Sequence, residues 1–361
     1  MLRWTLDRRA ILRLGLTGAG WALWERIGAA RLAHAQTPLR DPRERHLGAI
    51  RQLTFGGLNA EAYFDPTGTR LVFQSTRPPF GCDQIFTMNT DGGQVRLVST
   101  GRGRTTCAYF YPDQPRILYS TTQFEDAACP PAPDRSRGYV WPAYPSYDIV
   151  SADLDGRNLR RLTQSPGYDA EAAISADGRS IVFCSARDGD LDLFLMDAGG
   201  GNVRRLTDRP GYDGGPFFSW DGRSIVYRSY YPETTEAREA YRADLARHQV
   251  RPAVMDLYVM AAADGGEQRR VLGNGAANFA PFMLPDSTRI IFSSNLHDPT
   301  RRSFALYLVH LDGTGLERVT YAEEFASFPM ISKDGTKLVF CSTRNASGPR
   351  EINVFIADWI P

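Results

Sequence analysis

Residues 161–204 read RLTQSPGYDAEAAISADGRSIVFCSARDGDLDLFLMDAGGGNVR. From Arg205 the chain starts the phrase again as RLTDRPGYDGGPFFSWDGRSIVYR. Leu-Thr, Pro-Gly-Tyr-Asp, Ser-x-Asp-Gly-Arg and an apolar run recur in the same order, 44 residues apart. A unit of this size cannot bury its apolar face alone and must stack on its neighbours, so the chain is bound to a repeat architecture.

The unit predicts four short strands. Ala172–Ile174 leads into a turn at Asp177-Gly178, followed by the β-branched and aromatic run Ser180–Cys184. Leu191–Met196 is the third strand and Val203–Thr207 the fourth, with a glycine turn at Gly199–Gly201 between them. Asp-Gly between alternating apolar runs marks a hairpin, because glycine supplies the positive φ of a tight turn. Four antiparallel strands per 40 to 50 residues describe a propeller blade.

Aligned on that turn, the chain holds six units, with turns at Thr67-Gly68, Asp113-Gln114, Asp177-Gly178, Asp221-Gly222, Asp286-Ser287 and Asp334-Gly335. The spacings are 46, 64, 44, 65 and 48 residues. The two long ones carry insertions between strands two and three, at 122–147 and 230–254, which leave the blade itself intact. The last unit stops after its third strand, while an orphan strand, Ala49–Thr54, precedes the first. Pairing the two closes the ring and removes exposed strand edges. The fold class expected is all-β: a six-bladed β-propeller of four-stranded antiparallel blades over 49–361.

The pattern LT…PGYD…S-x-DG-R-x-I-V-F…D-L-Y-x-M…DG…RRLT resembles the WD40-like repeats of the TolB-type propellers of bacterial periplasms, over about residues 50 to 358. The resemblance implies the fold and a periplasmic setting; such propellers serve many tasks. TolB itself carries an α/β domain before its propeller, for which this chain leaves no room, so a Tol–Pal role is not implied. Propeller lyases acting on oligogalacturonate also resemble this fold and use several histidines with a metal. Here one histidine, His297, falls on the loop face without an insertion around it.

Residues 1–35 read as an export signal. Arg8-Arg9 in DRRAILRLGL resembles the twin-arginine consensus, an apolar stretch Leu14–Trp24 follows, and Ala33-His34-Ala35 fits a cleavage site. The apolar run is too short to span a membrane, and residues 36–48 form a linker. Removing six basic and two acidic residues from the chain's 42 and 41 leaves 36 against 39, a net charge of −3 without a basic stripe. Nothing here points to nucleic acid or to a membrane span. A monomeric protein, exported to the periplasm or secreted, is expected.

Cys184 and Cys341 occupy the same place in opposite blades and read as small buried hydrophobes. Cys82, Cys107 and Cys129 lie near one face of blades one and two; a disulfide within this trio suits an oxidising compartment, with the pair left open. Alternating aspartates in Arg187–Asp192 raise calcium as a cofactor, yet the loop lacks an EF-hand's length and terminal glutamate, and the same aspartates pin turns. No other cofactor and no metal site is indicated.

The two-to-three loops and the four-to-one crossovers share one face of such a ring, so both insertions and the cysteine trio gather there. The first insertion brings Trp141 and Tyr144 among prolines; the second holds the only clear helix of the mature chain, Glu236–His248, with Thr234 or Thr235 as its cap. Strand one lines the channel. Eight residues before each turn stand Asn59, Thr105, Asp169, Asp213, Asn278 and Ala326; two further on stand Glu61, Cys107, Glu171, Gly215, Ala280 and Phe328. From these, Asn59, Glu61, Asp169, Glu171, Asp213 and Asn278 form an acidic and amide ring suited to a cation, a basic peptide terminus or sugar hydroxyls. Alternatively they bond the crossover backbones and hold the blades together. Neither G-x-S-x-G nor H-E-x-x-H occurs, and no catalytic residue is assigned. Two functions follow: a non-catalytic scaffold binding a periplasmic protein or small ligand through channel mouth and insertions, or a glycan-active lyase or hydrolase using channel-mouth carboxylates and a metal.

Overall fold

The recurring Ser-x-Asp-Gly explains itself in the turn it builds. Ser175 Oγ donates to Asp177 at 2.6 Å and accepts from the Ser180 amide, while Gly178 takes φ +73°, an angle that glycine adopts without steric cost. Ser219 with Asp221 and Ser332 with Asp334 repeat the arrangement. A computed structural model of the chain describes residues 39–361 apart from Arg137 and Glu323; residues 1–35, read from the sequence as an export signal, and residues 36–38 lie outside the described residues.

Six four-stranded antiparallel sheets follow one another along the chain. Their first strands are Leu58–Phe64, Thr105–Phe110, Asp169–Ile174, Tyr212–Phe218, Asn278–Met283 and Ala326–Ile331. The sixth sheet is completed by Leu47–Gln52, which pairs antiparallel with Asn353–Trp359 and closes the ring as expected, starting two residues earlier than the sequence pattern places it. Residues before it are tied down as well. The Glu44 carboxylate is fully buried, pairs with Arg344 and accepts from the amides of Asp41 and Tyr321.

The core repeats with the sequence. Six residues after each turn position stand Phe73, Tyr119, Phe183, Tyr227, Phe292 and Phe340, all 0% exposed. In five blades this ring meets an aromatic of strand three, as Phe73 meets Phe86 at 5.8 Å and Phe340 meets Phe355 at 5.7 Å; blade two has Val150 opposite. Burying one such side chain contributes about 1.5–3 kcal/mol, so the layer between sheets is the main source of stability.

Candidate binding site at the channel mouth

Three successive inward positions of strand one have three different jobs. The outermost joins the blades. The amides of Asn59, Thr105, Asp169, Asp213, Asn278 and Ala326 each donate to a carbonyl just ahead of strand three in the preceding blade, at 2.9–3.2 Å. Their side chains face inward to the same joints. Asn59 and Asn278 donate to the carbonyls of Ile352 and Met255 and accept from Ser75 and Ser294. Asp169 accepts from Ser185 and Arg187, and Asp213 from Ser229 and Tyr231. All four are 0% exposed and do not line the channel-mouth cavity.

The second position faces the cavity, through a device that strand alternation does not reveal. Glu61, Cys107, Glu171, Gly215, Ala280 and Phe328 all take left-handed backbone angles, φ +50° to +58°, and the strand pairing slips there in every blade. Each first strand therefore carries a bulge that re-aims one side chain, at a cost of roughly 1 kcal/mol per non-glycine residue. The third position plugs the channel. Tyr63, Tyr109, Phe217 and Phe282 meet with ring centroids 5.3–5.8 Å apart. They separate the mouth from a small cavity on the opposite face.

Above this plug lies a cavity of about 1030 Å³. Its most built feature centres on Glu171. The carboxylate accepts from Tyr168 Oη (2.9 Å), Tyr212 Oη (3.2 Å), the Gly215 amide (2.6 Å) and Arg228 Nη2 (2.6 Å). The Pro-Gly-Tyr-Asp tyrosines thus hold a cavity carboxylate besides packing between blades. Arg228 stands in strand two where blades three and six have Cys184 and Cys341, and it fits only because blade four reads Gly214-Gly215. A Cβ on Gly215 would lie 2.1 Å from Arg228 Nη1, and one on Gly214 2.1 Å from Tyr212 Oη. The sequence signal was there: blade four breaks the repeat at both places.

Glu61 has a different environment. Burial, above all, pushes its carboxyl up to about 7, against a lowering hydrogen bond with the Cys107 thiol and a raising contribution from Glu171. Burial likewise raises the Cys107 thiol well above its ordinary value.

Both insertions cover the mouth, and they are one element. Trp141–Pro142 of the first pairs antiparallel with Gln249–Val250 of the second. Trp141 lines the cavity, lies 4.9 Å from the Arg228 guanidinium and meets Phe279 edge-on at 5.8 Å. The first insertion is anchored by a disulfide between Cys82 and Cys129, leaving Cys107 free. Tyr144 lies within it, its hydroxyl donating to the Pro131 carbonyl at 2.6 Å. The second holds the helix, Thr235–Leu245, with Thr234 accepting from the Ala237 amide as its cap. The helix stops three residues short of the expected His248, which takes φ +56° and turns the chain toward the lid strand. Its Tyr241 docks on Asp190 and on the Gly211 carbonyl. His297 sits beside the Tyr307 ring at 6.3 Å, outside the cavity lining.

The aspartate loop does not fit calcium. Asp190 accepts from Tyr241 and the Gly211 amide, and Asp192 from Arg205, so two of its three aspartates are committed to the chain, and Asp188 stands half-exposed beside Arg205. Among the described residues no group of three or more His, Cys, Asp or Glu is placed to hold a metal. No described helix is long and apolar enough to cross a membrane.

Comparison with known proteins agrees with this geometry. The family described as TolB beta propeller domain matches residues 145–238. The Tol-Pal system protein TolB of Bordetella pertussis is 50% identical over 46 residues, 13% of this chain and 10% of that protein, so the match spans about a tenth of the relative's length. A putative TolB from Agrobacterium tumefaciens superposes with TM-score 0.56 at 18% identity, covering 86% of this chain and 97% of that one. TolB from Acinetobacter baumannii gives 0.53 at 17%, covering 84% and 64%. These structures share the fold, and the family match covers the stretch where the repeat is clearest: the chain is a TolB-like six-bladed β-propeller.

Proposed function

We propose that this chain is an exported periplasmic binding propeller, non-catalytic and acting as a single copy, whose ligand or partner segment enters the cavity beneath the lid. One observation carries the reading. Two insertions from non-adjacent blades pair with each other over a cavity of about 1030 Å³ whose wall holds the fixed Glu171–Arg228 cluster. Pre-formed concave sites with an apolar wall and a few fixed polar groups are where proteins hold ligands. The likeness to TolB propellers supports the periplasmic setting and the scaffold role. Thermal-shift screening of the purified chain against small molecules, oligosaccharides and peptides tests it. A stabilising compound is expected, with its shift lost in Trp141→Ala. A shift indifferent to Trp141 would place binding elsewhere.

The enzymatic reading has one observation in its favour. Glu61 is held near neutrality, as a general acid must be, and Glu171 shares its cavity. Glu171, however, already accepts four hydrogen bonds, which leaves it poorly placed to serve as nucleophile or base. Turnover of any glycan in the screen that disappears in Glu61→Gln would reinstate this reading.

A further inference from the structure

The carboxylates that drew attention in the sequence are not what the cavity offers a ligand. Its lining holds three of them, Glu61, Asp83 and Glu171, against seven arginines. Asp83 is paired with Arg104 at 3.1 Å and Glu171 with Arg228 at 2.6 Å. Arg251 is tied to Asp244 in the lid. Among the described residues, Arg135, Arg301, Arg302 and Arg350 make no ion pair, and all four are exposed at the cavity rim. The mature chain expected from the sequence is slightly acidic, so this local excess is a matter of placement. Only two of the chain's 42 basic residues are lysines, so the choice of arginine reflects composition, whereas its convergence on one cavity does not.

We propose that the lidded cavity takes an anion: a ligand with one or more carboxylate or phosphate groups on an apolar ring-like body. The proposal rests on the cavity being a binding site and adds the chemistry of what enters. A guanidinium matches either group with paired N–H donors, and more strongly where water is partly excluded. The arginines are presented on fixed loops. Asp298 accepts from the amides of Thr300, Arg302 and Ser303, and Asn295 donates to the Arg301 carbonyl at 3.0 Å. Glu351 accepts from Ser347, Gly56 and Asn353 and pins the loop ending in Arg350. Arg301 and Arg350 both hold left-handed backbone angles, φ +59° and +68°, at the turns that carry them to the rim. Phe279, Phe304, Phe328 and Trp141 supply the apolar wall. The one carboxyl without an ion pair, Glu61, is pushed toward its neutral form by burial and so does little to repel an anion.

Matched naphthalene probes test this by isothermal titration calorimetry on the purified chain: naphthoate, naphthyl phosphate, the neutral naphthamide and the cationic naphthylmethylammonium. At least one anion is expected to bind about tenfold tighter than naphthamide, and the cation more weakly. Whether naphthoate or naphthyl phosphate leads identifies the group. Combined Arg301→Ala, Arg302→Ala and Arg350→Ala, all at exposed positions, are expected to bring the anion within about twofold of naphthamide. Arg179→Ala with Arg223→Ala, in turns on the opposite face, should leave the preference intact. Naphthamide or the cation binding as tightly as the anions overturns the anion proposal and leaves the cavity a binding site. A preference that survives the rim variant, or falls equally in the control, also overturns it. If no probe of any charge binds, the anion proposal falls, and the cavity's binding role is decided separately by the thermal-shift screen.

Discussion

A pair of glycines decides what blade four contributes. Gly214 and Gly215 leave the space that Tyr212 and Arg228 fill around Glu171. Gly215→Ala is expected to expel the guanidinium and leave a buried carboxylate without its cation, at about 2–4 kcal/mol in urea unfolding. A loss within experimental error would show that the ion pair does not need that space. Glu61 makes a pH signature. A glutamate of the unfolded chain gives up its proton near 4.5, whereas the folded one keeps it to about 7. The folded state binds the extra proton between these values, so its contribution to stability is full at low pH and is lost as pH rises from about 4.5 to about 7. Glu61→Gln should remove that decline, narrowing the stability difference between about pH 5 and about pH 8 by about 1–3 kcal/mol; an unchanged difference would relocate the titration. The inward stripe of strand one was legible as a stripe because side chains alternate with period two. Its division into blade joint, cavity wall and plug was not. The bulge at Glu61, Glu171 and their counterparts breaks the alternation, and nothing in those side chains announces a left-handed backbone.

The lid is an element made of two distant stretches. Each insertion was visible as extra length in the repeat, and the helix cap as Thr234 or Thr235, of which Thr234 is the cap. Their pairing was not visible, since two residues from each side make a ladder too short for any periodicity. The disulfide choice was also beyond the sequence: Cys107 lies on strand one and turns into the cavity, which leaves Cys82 to meet Cys129 across the loop. Cutting that tether should loosen the first insertion while the blades stay folded. Limited proteolysis of Cys129→Ser is expected to give cleavage within 122–140 at least several-fold faster than in the parent chain, with the thermal midpoint falling far less than loss of a blade would require. Equal cleavage rates would mean that the lid strands and Tyr241 hold the insertion without help.

At the scale of the molecule, closure joins the two ends of the described chain. Leu47–Gln52 completes the last sheet, and the buried Glu44–Arg344 pair locks the segment ahead of it. Glu44→Ala removes the carboxylate facing Arg344, 5% exposed, and is expected to cost about 3–5 kcal/mol and to broaden the denaturation transition as the last blade frays. A sharp transition with an unchanged midpoint would make the clasp dispensable. The ring, its blade count and its closing strand could all be read from the 44-residue period, because each unit needs neighbours on both sides. The charge of the mouth could not, since it depends on which loop residues converge after closure. Binding under the lid is tested by hydrogen exchange of the chain with and without the strongest stabiliser from the thermal-shift screen. Protection is expected at Trp141–Ala143, at Gln249–Arg251 and along the bulged first strands. Protection centred instead on the opposite-face turns at Asp177-Gly178 and Asp221-Gly222, with the lid unchanged, would contradict it.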